Sequence, residues 1–271
     1  MMNLQFFCPR WGMAHLPFEE FVRKVKDAGY NGVEMDLPFD AQVKSNYLDI
    51  LRENKLLLVA QHWETVDADF ETHQVNYEKR LRNLVTPQTT FINSQTGKDY
   101  YSFEQNYALI KMADRISQES GVKIVHETHR GKFSFAAHIT KDYLHKIPAL
   151  QLTLDASHWC NVAETLLQDQ QEAISLAIDR CFHIHARVGY SQGAQVPDPR
   201  DPLWKEALDI HVQWWKKVVA VKKSKGIDTV TITPEFGAPP YMILLPGTHE
   251  PITNQWEVNV FMMNYLKEVL I

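Results

Sequence analysis

Eight short runs of β-forming residues alternate with longer stretches of helical period along this chain, and this alternation limits the possible folds more than any other feature. The runs that predict strands are residues 4–8, 32–35, 56–61, 89–92, 123–126, 150–154, 181–184 and 229–233. After the first run, apolar residues recur three and four positions apart and stop at Gly29, which predicts a helix with a glycine C-cap. Ser102 and Gln105 have the spacing of a capping box, which predicts the start of another helix.

The alternation predicts a single domain, because no Pro/Gly/Ser-rich linker interrupts it. A length of 271 residues is ordinary for one (β/α)₈ barrel, so we predict a single (β/α)₈ TIM barrel over 1–271, closed by a helix over about 255–270. The competing fold is an open doubly wound sheet. Such a sheet usually has a glycine-rich phosphate turn after its first strand, where this chain has Pro9-Arg10-Trp11-Gly12.

Charge and composition exclude several classes of protein. The chain has 28 Lys and Arg against 33 Asp and Glu, a formal charge of −5, and no basic stripe, so we expect no nucleic-acid partner. No run of about 18 apolar residues occurs and the N-terminus lacks a signal-peptide pattern, so we expect no membrane span. Three widely spaced cysteines without a CxxC pattern indicate neither a disulfide framework nor a structural zinc site, and we predict a cytoplasmic protein.

Polar residues follow the last four predicted strands, in segments 126–130, 155–158, 183–187 and 234–237. In a barrel, the carboxyl ends of all strands converge on one mouth, so these segments are expected to share a site. Carboxylates and imidazoles at four consecutive strand ends suit a divalent ion. Three carboxylates and one imidazole favour Mn²⁺, Mg²⁺ or Co²⁺ over a structural Zn²⁺.

These strand ends resemble those of the xylose isomerase-like barrel superfamily, which includes ketose 3-epimerases, sugar-phosphate isomerases, inosose dehydratases and endonuclease IV-type repair enzymes. The resemblance covers the whole chain and rests on an ordered series: a strand-five Glu, a strand-six Asp-x-x-His, a strand-seven His-x-His and a strand-eight Glu. It implies that one divalent ion is bound by Glu127, Asp155, His185 and Glu235. It also implies that His158 faces the substrate and that Arg187 lies close to a substrate-oxygen contact, although the family arginine usually lies further along that loop.

For function, the resemblance implies an isomerase or epimerase that acts on a sugar or sugar phosphate. In such enzymes the ion chelates two neighbouring substrate oxygens and stabilises an enediolate. Glu127 and Glu235 would then exchange a proton with the carbon between those oxygens. A ligated carboxylate is a weak base in water, but a dry site shifts its pKa toward the working range.

Aromatic and histidine side chains are predicted around the same mouth. Three tryptophans follow strands one, three and six, and two histidines accompany them: Trp11, Trp63, Trp159, His62 and His129. Flat aromatic faces suit the C–H faces of a sugar, so a small polyol or sugar is the predicted substrate. Because rim aromatics also pack under loops, we expect one or two of these tryptophans to contact it. His183 is predicted to be a buried, hydrogen-bonded neighbour of the site.

Three other functions stay open. A dehydratase of inososes or related keto-polyols starts with the same deprotonation but expels a hydroxyl. An endonuclease IV-like hydrolase needs a further histidine after strand four and an Asp-x-His after strand seven, where this chain has Asn93-Ser94-Gln95 and Asp198-Pro199-Arg200. A barrel that binds without turnover is the last alternative. Many proteins of the superfamily are dimers or tetramers, so the resemblance is compatible with a homo-oligomer.

Overall fold

The fold is a closed barrel of eight parallel strands in the computed structural model, which describes residues 2–270. Each strand pairs with the next in sequence, and β1 pairs with β8 to close the ring. The strands are β1 Asn3–Pro9, β2 Gly32–Met35, β3 Leu57–His62, β4 Thr89–Ser94, β5 Ile124–Glu127, β6 Leu152–Leu154, β7 Cys181–His185 and β8 Thr229–Thr233. The predicted (β/α)₈ barrel is confirmed, with every predicted strand present.

Helices follow the strands and surround the barrel. They are α1 Phe18–Asp27, α2 Ala41–Glu53, α3 Phe70–Leu84, α4 Phe103–Ser120, α5 Ala137–Lys146, α6 Ala156–Ala163, α7 Gln171–Asp179, α8 Lys205–Ser224 and α9 Gln255–Val269. The predicted capping box is present, because the Ser102 hydroxyl accepts a hydrogen bond from Gln105 N while the Gln105 side chain accepts one from Ser102 N. Within residues 2–270, no helix combines the length and the apolar composition needed to cross a membrane.

The barrel interior changes from apolar at its base to polar at the carboxyl ends of the strands. Four buried apolar side chains that point inward form the base: Phe7, Val59, Phe91 and Val125. His183 lies above them, with its ring 5.1 Å from that of Phe91. A strand's side chains alternate in direction, so the next inward residue of β7, His185, lies one layer closer to the mouth. The fold therefore supports the polar site on a packed apolar base.

Candidate active site

A cavity of 510 Å³ opens at the carboxyl ends of the strands. Its wall includes residues from the ends of β1, β3, β5 and β8, and the two glutamates predicted as catalytic, Glu127 and Glu235, are among them. Both are buried. This is the face on which barrel enzymes carry their chemistry.

The four predicted metal ligands come together there. One donor atom each from Glu127, Asp155, His185 and Glu235 lies within 4.8 Å of all the others. All four side chains are buried, although more than a hundred residues separate the first from the last. The grouping follows from the barrel, because these residues lie at the ends of four consecutive strands or within two residues after them.

The relation of His185 to Glu235 fits a cation between them. His185 Nδ1 lies 2.8 Å from Glu235 Oε2, yet within residues 2–270 neither atom has a partner in hydrogen-bond geometry. Buried polar atoms are nearly always paired, so two unpaired polar atoms side by side in a carboxylate-rich cluster suit a shared positive ion. The donor set therefore fits a divalent ion, with oxygen atoms prevailing over nitrogen.

Glu34 contacts the ring nitrogen of His185 that points away from Glu235. The sequence analysis did not predict Glu34 as a site residue. Its carboxylate accepts a hydrogen bond from His185 Nε2 at 2.9 Å and lies 3.3 Å from His183 Nε2. The Glu34 side chain is buried and also accepts from the hydroxyl of Thr233. A proton on His185 Nε2 leaves Nδ1 with its lone pair directed at the ligand cluster. The prediction that His183 is a buried, hydrogen-bonded histidine is confirmed.

Side-chain amides donate hydrogen bonds to the carboxylates of Glu127 and Glu235. Asn93 Nδ2 donates to Glu127 Oε2 at 3.0 Å, and Gln95 Nε2 donates to Glu127 Oε1 at 3.3 Å. Gln61 Nε2 donates to Glu235 Oε1 at 3.3 Å. These bonds fix the carboxylates without neutralising them. Alternation along β3 and β4 places Gln61 and Asn93 on the inner face, a signal present in the sequence. Gln95, directly after β4, lines the cavity.

Arg187 contacts two of the four predicted metal ligands, Asp155 and Glu235. Its guanidinium pairs with Asp155, lies 3.6 Å from Glu235 Oε2, and donates to His158 Nε2 at 2.7 Å. Asp155 also accepts a hydrogen bond from Ser157 N at 3.0 Å, which caps α6. Arg187 lines the cavity, whereas His158 is fully buried behind it and does not. His158 was expected to face the substrate, but it contacts Arg187 instead and does not reach the cavity.

The surroundings shift the pKa values of the two glutamates in opposite directions. Burial raises the pKa of Glu127, although His185 opposes this shift. Burial would raise the pKa of Glu235 as well, but the nearby His185 and Arg187 lower it below its ordinary value. Two carboxyls whose pKa values diverge suit the separate parts of proton donor and proton acceptor.

The predicted mouth residues divide into two groups. Trp11, Trp63 and His129 line the cavity, and Trp63 is 50% exposed, which leaves much of its ring available to a ligand. Trp159 is not at the mouth and the prediction of its position is corrected: it is fully buried in the core and its indole N–H donates to Ser134 O at 2.8 Å. The reason is that α6 begins directly after Asp155 and turns this residue inward.

The predicted position of His62 at the mouth is also wrong. Its ring is fully buried, 3.1 Å from Ser94 Oγ and 2.7 Å from Thr65 Oγ1, and it does not line the cavity. It is the last residue of β3, where alternation directs it away from the barrel axis while Gln61 points inward. His62 therefore belongs to the packing between strand and helix.

Tyr241, from the loop after β8, completes the wall and was not predicted. Its ring centroid lies 4.8 Å from Arg187 Cζ and 5.1 Å from the ring of Trp11. Gly237 allows Trp11 to approach, because a Cβ at this position would lie 2.0 Å from the indole. Loop conformation has no periodic signal in sequence, which explains why Tyr241 was missed.

Comparison with known proteins identifies the fold. No family model and no curated protein sequence matches the chain. A xylose isomerase domain containing protein from Salmonella typhimurium matches with a TM-score of 0.65 at 15% identity, over 98% of this chain and 97% of that chain. This chain has the fold of the xylose isomerase-like barrels. The fold of the superfamily predicted from the strand ends is thereby confirmed.

Two epimerases have the same xylose isomerase-like fold. D-allulose 3-epimerase from Methylomonas sp. matches with a TM-score of 0.62 at 15% identity, over 99% of this chain and 98% of that chain. The 3-keto-D-glucoside 4-epimerase of E. coli matches with a TM-score of 0.65 at 12% identity, over 98% and 99%. A probable 3-DHS dehydratase and an endonuclease IV also match, so the fold alone does not separate these reactions.

Proposed function

We propose that the protein is a divalent-metal-dependent isomerase or epimerase of a sugar or sugar phosphate. The observation that carries this proposal is the buried cluster of three carboxylates and one imidazole, with donor atoms within 4.8 Å of one another, at the wall of a cavity of 510 Å³. Sugar epimerases among the solved structures with this fold support it. A cavity of this size matches a small-molecule ligand.

The residues that would hold the ion are Glu127, Asp155, His185 and Glu235. When bound, a divalent ion supplies Lewis-acid stabilisation of negative charge on substrate oxygens. Mn²⁺, Mg²⁺ or Co²⁺ fits the oxygen-rich donor set better than Zn²⁺. The remaining chemistry belongs to this chain's own side chains.

Glu127 and Glu235 move the proton. They extend from β5 and β8, and one carboxylate oxygen of each lies within 4.8 Å of the other. In the proposed reaction one glutamate removes the proton from a carbon next to a carbonyl, and the other returns a proton to the opposite face. The hydrogen bonds from Gln61, Asn93 and Gln95 fix the positions of both carboxyls.

Aromatic and amide side chains would bind the sugar. Trp11, Trp63 and Tyr241 offer apolar surface to C–H groups, while the amides of Gln61 and Gln95 lie on the same wall and suit hydroxyls. His129 lines the wall as well, and burial lowers its pKa to about 3, so it is a neutral imidazole that suits hydrogen bonding rather than ion pairing.

A keto-polyol dehydratase is the second candidate, because the same pair of glutamates would begin it by the same removal of a proton. An endonuclease IV-like hydrolase is disfavoured. That enzyme needs a further histidine ligand after its fourth strand. Here Asn93, near the end of β4, and Gln95, directly after it, donate to Glu127 instead. The net charge of −5 also provides no general attraction for DNA.

The test is turnover in deuterated water. Metal-loaded protein is incubated with ketoses, aldoses, their phosphates and keto-polyols, and the products are analysed by NMR and mass spectrometry. Epimerisation through an enediolate introduces solvent deuterium at the reacting carbon, whereas a dehydratase product is lighter by one water. Glu127→Gln is expected to lower kcat by about a hundredfold or more, while Glu206→Gln, an exposed position on α8, leaves it unchanged. Absence of both exchange and dehydration across the panel would count against the proposal.

A further inference from the structure

Arg10 is a second arginine on the cavity wall that the proposed reaction does not use. It follows the core of β1, and its backbone N–H donates to Glu34 O at 2.9 Å. The guanidinium lies over two aromatic rings, with Cζ 4.8 Å from the centroid of Phe18 and 4.6 Å from that of Tyr47. Its Nη2 donates to the Tyr47 hydroxyl at 3.1 Å. Packing therefore fixes the cation at this point of the wall.

The charge of Arg10 has no carboxylate partner within the part of the chain that the structure describes. No Asp or Glu oxygen among residues 2–270 lies within 4.0 Å of its guanidinium, and Asp36, which shares the wall, is outside this distance. Arg187, the other arginine of the wall, is paired with Asp155 and close to Glu235. Of the two, only Arg10 offers an uncompensated positive charge to a ligand.

Arg10 lies across the ring from Glu127, on the strand next to the one that carries Glu235. It extends from β1, which lies opposite β5 and therefore opposite Glu127 in a ring of eight strands. A substrate whose reacting carbon lies between Glu127 and Glu235 has room to extend along the wall toward β1. The end of the substrate that reaches Arg10 is then the end that points away from Glu127.

We propose that Arg10 is the binding residue for an anionic group, a phosphate or a carboxylate, at the end of the substrate away from the reacting carbon. A planar guanidinium with free N–H donors matches the oxygens of either group, often through two parallel hydrogen bonds. A neutral hydroxyl would leave the charge uncompensated. This inference rests on the proposed function for the reacting end of the substrate, and it narrows the substrate to an acidic or phosphorylated sugar.

The first test measures binding of simple anions, which requires neither metal nor turnover. Inorganic phosphate and acetate are titrated by calorimetry, at constant ionic strength and with EDTA present, into the wild-type chain, Arg10→Gln and Arg23→Gln. Arg23 is an exposed residue of α1, so this variant loses the same charge elsewhere. Wild type and Arg23→Gln are expected to bind alike, and Arg10→Gln about tenfold more weakly. A preference for phosphate over acetate indicates a phosphorylated substrate, and the reverse preference indicates a sugar acid.

A lack of saturable anion binding by the wild type, or equal affinity in wild type and Arg10→Gln, would overturn the inference. Arg10→Lys guards against a folding defect, because it keeps the charge and the chain while changing the shape of the cation. It is expected to bind anions more tightly than Arg10→Gln, and circular dichroism melting verifies that both variants fold.

Kinetics separate this inference from the proposed function. With D-ribulose 5-phosphate and D-ribulose as paired probes, Arg10→Gln is expected to raise KM for the phosphorylated sugar by about tenfold and to leave kcat nearly unchanged. Anion binding that depends on Arg10 in a protein without epimerase activity would retain the subsite and reject the proposed function. Turnover of both sugars that is indifferent to Arg10→Gln would retain the proposed function and reject the subsite.

Discussion

Glu34 positions the imidazole of His185 and so controls which nitrogen faces the ligand cluster. The carboxylate lies 2.9 Å from Nε2, while Nδ1 lies 2.8 Å from Glu235 and 3.7 Å from Glu127. Carboxylates that bind the distal nitrogen of a metal-ligating histidine fix its tautomer and raise its basicity. Glu34 is therefore expected to affect ion binding without contacting the ion.

Replacing Glu34 with Gln tests this role. The expected result is a loss of about 10–100-fold in Mn²⁺ affinity by isothermal titration calorimetry, because the amide retains the shape but not the charge that orients the imidazole. Glu20→Gln, at an exposed position of α1, serves as the control and is expected to bind like wild type. Unchanged affinity in Glu34→Gln would refute the positioning role.

Ion binding should also depend on pH through His185. Burial lowers the pKa of this imidazole, but the charges of Glu235, Glu34 and Glu127 outweigh burial and raise the pKa well above its ordinary value. The raised pKa favours the protonated ring in the metal-free protein, and an ion that binds Nδ1 must displace that proton. Apparent Mn²⁺ affinity is expected to rise with pH, by up to about tenfold per unit below the pKa of His185.

The measurement is calorimetry in buffers of different ionisation enthalpy, which counts the protons released when the ion binds. Net release of protons is expected when the ion binds, because His185 gives up its Nδ1 proton. An affinity that is constant between pH 6 and pH 8, with no proton release, would contradict this assignment.

The individual site residues were predictable only where a strand ended in a polar group. Glu127 directly follows the predicted strand 123–126, and Glu235 lies two residues after the predicted strand 229–233. Glu34 was missed since it lies inside β2 among apolar residues and not at the carboxyl end of the strand. Trp159 was misplaced because the sequence did not indicate how soon α6 begins after Asp155.

Strands and helices were predicted more completely than the site residues. All eight strands are present, and no predicted boundary differs from the structure by more than two residues. Hydrophobic periodicity is strong in a barrel, since its strands are buried on both faces and its helices on one. The segment between β6 and β7 is less regular: it contains two short helices, α6 and α7, and the first of them positions His158.

The capping box of α4 is expected to contribute to stability. Ser102 Oγ accepts from Gln105 N at 3.2 Å, and Gln105 Oε1 accepts from Ser102 N at 2.9 Å. Ser102→Ala removes the side-chain acceptor and is expected to lower the free energy of unfolding by about 1 kcal/mol in urea denaturation. Ser117→Ala, inside the same helix, is the matched control and is expected to cost little, because alanine favours helix interiors. An equal loss in the two variants would contradict the capping role.

The closed barrel explains how residues far apart in sequence form one site. β5 through β8 are consecutive in the ring, so Glu127, Asp155, His185 and Glu235 meet at adjacent strand ends. Strand order was predictable because parallel barrels are built from successive strand–helix units. The shape of the cavity was not predictable, since it depends on loops such as the one that places Tyr241 over Arg187.

An ion that binds only the folded chain must also stabilise it. The cluster combines four strands, so the ion would link β5, β6, β7 and β8 at their carboxyl ends. In the unfolded chain the same four side chains are far apart and cannot bind one ion together. An increase in melting temperature when the ion is added therefore indicates that all four ligands are in place.

The decisive measurement is metal content and metal-dependent melting temperature of wild type beside Glu235→Gln, with Glu250→Gln in the exposed loop as control. Mn²⁺, Mg²⁺, Co²⁺ and Zn²⁺ are each added to protein treated with EDTA. We predict that wild type and Glu250→Gln bind about one ion per chain and gain stability, whereas Glu235→Gln does neither. If wild type neither retains nor responds to any of these ions, the four-ligand site is wrong and the proposed reaction has no basis.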